Sequence, residues 1–139
     1  MKFQVSAAAA ALALFATAAV AQAASVLTLN LDCGSTVGKV MIAVYDSEAA
    51  YNGQGAPVRR LAAEPGQPVR IEGLAPGTYA VKSFQDLNSN GQMDANPFGM
   101  PTEPFAFSNN AHGNMGPAPW AAAAFTVDAS GATQTLVLK

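Results

Sequence analysis

The 139-residue sequence predicts an all-β protein: a seven-stranded antiparallel β-sandwich with one long ordered loop, following a cleaved signal peptide. Three observations predict it. Apolar residues alternate with polar ones in short runs, the period of a half-buried strand. Clusters of Gly, Pro, Asn and Asp punctuate those runs at close spacing. Past the first two dozen residues, no long segment carries a helical period.

The runs read in chain order as Val26 to Leu31, Lys39 to Tyr45, Val58 to Ala62, Gln67 to Gly73, Thr78 to Phe84, Ala122 to Val127 and Thr133 to Leu138. In the first, Leu27, Leu29 and Leu31 share a face opposite Thr28 and Asn30; in the second, Val40, Ile42 and Val44 do the same. Turns are expected at Asp32 to Gly38, at Glu64 to Pro68 and at Ala75 to Gly77, where Pro76-Gly77 makes a tight reversal. A short helical turn fits Ser47 to Tyr51. Seven short strands at this spacing are those of an immunoglobulin-like or transthyretin-like sandwich. The stretch Gly73 to Val81, GLAPGTYAV, resembles the strand, Pro-Gly turn and tyrosine-bearing strand of transthyretin-like and carboxypeptidase-regulatory-like domains.

Lys2 followed by the Ala, Leu, Phe and Val run of Ser6 to Val20 has the basic and apolar regions of a secretory signal, and Ala21 and Ala23 form an A-x-A cleavage site. The expected organisation is therefore a signal peptide over 1–23 and a single domain over 24–139, secreted or periplasmic. The apolar run is too short and Ala-rich for a span of about 20 strongly apolar residues, so no membrane span is expected in the mature chain. Cys33 follows Asn30, Leu31 and Asp32 rather than a small-residue box, which argues against lipidation.

Without Lys2, six basic residues (Lys39, Arg59, Arg60, Arg70, Lys82 and Lys139) stand against nine acidic ones. No basic patch points to nucleic acid. Cys33 cannot form an internal disulfide. Beside a strand it is expected to be buried and inert; the alternative is pairing between chains.

The strand spacing breaks between Phe84 and Trp120, which defines a long loop over 86–120. Loops beyond roughly 12 to 15 residues without structure are uncommon in compact domains. Six of the eight Asn and five of the nine Pro fall here, interleaved with Phe98, Phe105, Phe107 and Trp120. Disordered linkers are poor in aromatics. A folded loop is expected, with its aromatic and Met cluster (Phe98, Met100, Phe105, Phe107, Met115, Trp120) packed on the sandwich edge. A sugar or peptide platform is the alternative.

Within it, DLNSNGQMD places oxygen-bearing side chains at Asp86, Asn88, Asn90 and Asp94, with Gly91 at the sharp turn. Ca²⁺ takes six to eight oxygens from loop positions 1, 3, 5, 7 and 9, which Asp86, Asn88, Asn90, the Gln92 carbonyl and Asp94 match. The bidentate Glu expected at position 12 is Pro97, so this is not an EF-hand; Asn96, or Glu103 folded back, would complete the shell. With so few carboxylates the affinity would be weak, on the order of 10⁻⁴ to 10⁻³ M. The competing reading is a turn in which Asp and Asn bond only their own backbone.

His112 is the only histidine. A hydrolase would pair it with Ser108 or Cys33 as nucleophile and Asp94 or Glu103 as orienter, but no nucleophile-elbow motif accompanies it. One His and one distant Cys do not make a zinc site. Arg59 and Arg60 are expected to be a solvated strand end.

The stretch Phe84 to Phe125 resembles the signature of a bacterial family called domain of unknown function 2141. The resemblance is carried by Asp86, Asn88, Asn90, Gly91, Asp94, Gly99, Pro101, Glu103, Phe107, Ser108, Asn109, Asn110, Gly116, Pro117 and Phe125. It departs after Glu103, where a Gly-Tyr-Gly-Phe-like run reads Pro104, Phe105, Ala106, Phe107. The resemblance implies a small exported β-sandwich and brings no activity. The functional expectation is thus a non-enzymatic binding or structural module, its loop offered to a protein or glycan partner of the cell envelope, with Ca²⁺ as the cofactor the loop could take. A small hydrolase using His112 is the alternative.

Overall fold

Alternation along the chain is what separates the two sides of each strand, and a computed structural model, which describes residues 24–139, shows the result. The signal-peptide expectation for 1–23 lies outside the described residues. The protein is mostly β, in two sheets. The smaller sheet has the order β4-β1-β8, built from β1 (Ser25–Cys33), β4 (Val69–Leu74) and β8 (Ala132–Leu138). The larger has the order β3-β2-β5-β6, from β2 (Lys39–Tyr45), β3 (Arg59–Ala63), β5 (Gly77–Asp86) and β6 (Phe105–Phe107), with β7 (Phe125–Val127) pairing the start of β5.

Leu27, Leu29 and Leu31 of β1 meet Val40, Ile42 and Val44 of β2, Tyr79 and Val81 of β5, and Leu136 and Leu138 of β8 in one buried core. Burying an apolar side chain of this size is worth about 1.5 to 3 kcal/mol, so this layer dominates the stability. At the β4–β5 reversal the Tyr79 hydroxyl donates to the Ala75 carbonyl at 2.6 Å. That bond ties the start of β5 to the turn before it, and it accounts for the Leu-x-Pro-Gly-x-Tyr spacing of Leu74 to Tyr79.

The structure departs from the sequence expectation in several places. Among the described residues there are eight strands, because Phe105–Phe107 forms a short strand inside the supposed loop. The sheets are not wholly antiparallel: β1 and β8 run parallel over Leu27 to Cys33. Ala122 and Ala123 belong to a helical turn, α1 (Trp120–Ala123), started by Pro119 and made of good helix formers. Cys33 is half-buried rather than sealed in the core.

A second apolar cluster lies on the outer face of the larger sheet. Tyr51, Ala80, Phe107, Ala118 and Ala123 are buried there, with Tyr45, Phe105 and Trp120 packed against them. Tyr51 sits edge-on to both Tyr45 and Trp120, centroids 5.6 and 5.7 Å away, and donates to the Ala118 carbonyl at 2.8 Å. Burial, and secondarily the nearby Tyr45, pushes its phenol up to about 12.

Candidate functional site: the Asp86–Glu103 loop

Asp86 is the last residue of β5, and its carbonyl meets the β1–β2 turn so closely that a Cβ on Gly38 would lie 1.9 Å from that oxygen. Gly38 has φ of 75°, which only glycine adopts cheaply. The strand end is thereby held where the loop begins. Gly91, at φ 77°, turns the chain back over it.

The buried Asp86 carboxylate is enclosed by that turn: Oδ1 accepts from the Asn90 N–H at 3.1 Å and Oδ2 from the Gly91 N–H at 2.8 Å. Asn88 Oδ1 accepts from the Asn90 N–H and Asn90 Oδ1 from the Gln92 N–H, two successive Asx turns. Both amides then donate to Asp94, Asn88 to Oδ2 and Asn90 to Oδ1. Glu103, 6 % exposed, bridges the loop's ends: Oε1 accepts from the Leu87 N–H at 2.9 Å and Oε2 from the Asp94 N–H at 3.0 Å.

The structure therefore places Asp86, Asn88, Asn90 and Asp94 in one turn, Asp86 bonded to its backbone and the Asn88 and Asn90 amides bonded to Asp94. Glu103 folds back over the loop, and both of its oxygens accept from backbone N–H groups, as both oxygens of Asp86 do. Asn96 caps the next turn, accepting from the N–H groups of Phe98 and Met100. Two carboxylates, two amide oxygens and the Gln92 carbonyl are the donor chemistry of a hard cation, and each oxygen keeps a lone pair beyond the bonds described. Among the described residues, no three His, Cys, Asp or Glu side chains come together as a metal-binding group.

Past Asp94 the chain forms a narrow turn closed by the Ala95–Pro101 bridge and by Asn96 N–H to Met100 O at 2.8 Å. At its tip Phe98 is 89 % exposed and Met100 63 %; Met115, in the following segment, is fully exposed. The expected packing of the aromatic and Met cluster thus splits. Phe105, Phe107 and Trp120 pack, whereas Phe98, Met100 and Met115 stand in solvent.

His112 is exposed, and no described hydrogen bond joins it to Ser108, Asp94 or Glu103. The Ser108 hydroxyl is buried and committed, donating to the Ala123 carbonyl and accepting from the Val81 N–H. Its neighbours are equally engaged. Asn109 donates to the carbonyls of Ala122 and Ala124 and exchanges bonds with Gln134, while Asn110 bonds Thr135 O and the Val137 N–H along the edge of β8. This fastening was not visible in the sequence; the signal was a run of three small polar residues at the end of a strand too short to recognise.

Fold and loop together define a small two-sheet β protein whose longest connection is an internally bonded platform. The chain belongs to the family described as uncharacterized protein conserved in bacteria, domain of unknown function 2141, whose model matches residues 32–135. No curated protein and no solved structure matches it.

Proposed function

We propose that the protein is an exported, non-enzymatic binding module that offers the tip of its Asp86–Glu103 loop to a protein partner in the cell envelope, with Ca²⁺ as a weak structural ligand of the same loop. One observation carries this: a densely bonded loop, anchored by two buried carboxylates, holds Phe98 almost fully and Met100 largely in water. An exposed aromatic on a rigid mount loses little conformational entropy on docking, which is the property of binding hot spots. A photo-crosslinking residue at position 98 or 100 in cells is expected to yield a discrete protein adduct, while the same probe at the exposed Thr133 yields none. Equal labelling at all three positions, or none at 98 and 100, would sink the reading.

The cation half rests on Asp86, Asn88, Asn90 and Asp94 lying in one turn that is rich in oxygen donors. Calorimetric titration is expected to give a dissociation constant on the order of 10⁻⁴ to 10⁻³ M, lost in Asp86→Ala and in the less disruptive Asn88→Ala. An absence of heat and of any calcium-dependent rise in melting temperature would remove it.

A further inference from the structure

The outer face of the larger sheet carries a second surface, unrelated to the loop. We propose that the groove between Tyr45, Arg60 and Lys82 binds an acidic saccharide, its carboxylate held between the two cations.

Strand register creates the arrangement. Ala43 of β2 is paired with Arg60 of β3 on one side and with Lys82 of β5 on the other. These three alternate with the core residues Val44, Leu61 and Val81, so they form one row across the outer face. Adjacent strands lie about 4.8 Å apart, which puts the two basic Cα atoms about 10 Å from each other with only a methyl group between them. Both side chains are long enough to reach over that methyl toward a shared anion.

Neither cation has a carboxylate partner. The ion pairs among the described residues are Lys39–Glu64 and Arg70–Glu72. Lys82 is held by neutral groups only: Nζ donates to the Tyr51 carbonyl at 2.6 Å and lies 4.1 Å from the centre of the Tyr51 ring and 5.3 Å from that of Tyr45. That leaves ammonium hydrogens to spare. Burial draws the Lys82 pKa below its ordinary value, a cost that an anion in the groove would relieve. In a chain of net charge −2, this is a local inversion of sign.

The walls argue for a ring rather than a bare anion. Pro117 and Pro119 form one side, the turn carrying Tyr51 the other, and the space between measures about 590 Å³, within the range of small-ligand pockets. The exposed Pro117 and Pro119 rings and the half-buried Tyr45 suit the apolar face of a sugar; the two cations select its acid.

The test is calorimetric titration of the protein with trigalacturonate, with maltotriose and sodium acetate as controls. Trigalacturonate is expected to bind, more weakly as salt rises, and Arg60→Gln and Lys82→Gln are each expected to weaken it about tenfold or more. Arg60 lies on an exposed edge strand, so Arg60→Gln carries the test if Lys82→Gln fails to fold. Phe98→Ala is expected to bind trigalacturonate normally, which separates this site from the loop. No binding, equal binding of maltotriose, equal binding of acetate, or an unaffected Arg60→Gln would each overturn the proposal.

Discussion

The connection between β5 and β7 contains two stretches of similar polarity with opposite uses. The side chains of residues 86–103 bond within the stretch: those of Asp86, Asn88, Asn90, Asp94 and Glu103 reach partners no more than 16 positions away. Residues 104–124 bond outward. Pro104 and Phe105 join β5 to the end of β8, and Ser108, Asn109 and Asn110 fasten β5, α1 and β8 across separations of up to 27 positions. The first stretch is an appendage with its own internal order; the second closes the sandwich along one side. Local bonds stabilise a local shape, whereas bonds between sheets stabilise the fold, so the two should fail differently.

The largest expected effect is therefore in the fastening. Ser108→Ala strands the Val81 N–H and the Ala123 carbonyl in a site with no access to water, at about 3 kcal/mol. The melting temperature should fall by roughly 10 °C in differential scanning calorimetry. Asn109→Ala should be nearly as harmful, because it removes the bonds to α1 and Gln134 and leaves an alanine at φ of 58°. A loss below about 1 kcal/mol in both would mean the two stretches are not different in kind.

Glu103→Gln probes the other side of the comparison. An amide cannot accept from both Leu87 and Asp94, so one end of the clamp opens, at about 1 to 2 kcal/mol. Hydrogen exchange should quicken about tenfold at the Leu87 or Asp94 amide while Leu29 and Val44 in the core keep their protection. Global loss of protection would make the loop part of the fold.

Alkaline titration reads the outward stretch through Tyr51, whose hydroxyl bonds Ala118. Its phenol titrates near 10 when unfolded and is pushed up to about 12 in the fold. A raised folded pKa favours the native state fully below pH 10, and that contribution fades between about pH 10 and pH 12 as the unfolded chain alone ionises. Burial moves the Tyr79 phenol in the same direction. Tyr51→Phe should melt lower at neutral pH and lose less between those limits; an unchanged pH slope would remove Tyr51 from the account.

How much of this the sequence disclosed follows the same division. The strands with clean alternation, such as Leu27 to Leu31 and Val40 to Val44, were legible because one face is buried along their length. Phe105–Phe107 was not, since three residues beside a proline show no period, and its partners Lys82 to Phe84 and Lys139 are remote in the chain. Ala121 to Ala124 offers no contrast between faces, so a helical turn read as strand. The Asp86–Asp94 spacing disclosed a turn of successive Asn and Asp side chains because the loop is local. The role of Ser108 to Asn110 stayed hidden because it depends on which strands become neighbours.

The smallest expected effect on stability is at the tip. Phe98 buries almost nothing, so Phe98→Ser should change the unfolding free energy by no more than about 0.5 kcal/mol. Asn96 keeps the turn closed in its absence, because its bonds run to the backbone N–H groups of residues 98 and 100, not to the ring. A stability change this small beside a complete loss of crosslinked partner would show that the ring is retained for contact rather than for folding. A loss of 2 kcal/mol or more, measured by denaturant titration, would instead place Phe98 against the protein in solution and withdraw it from the binding surface.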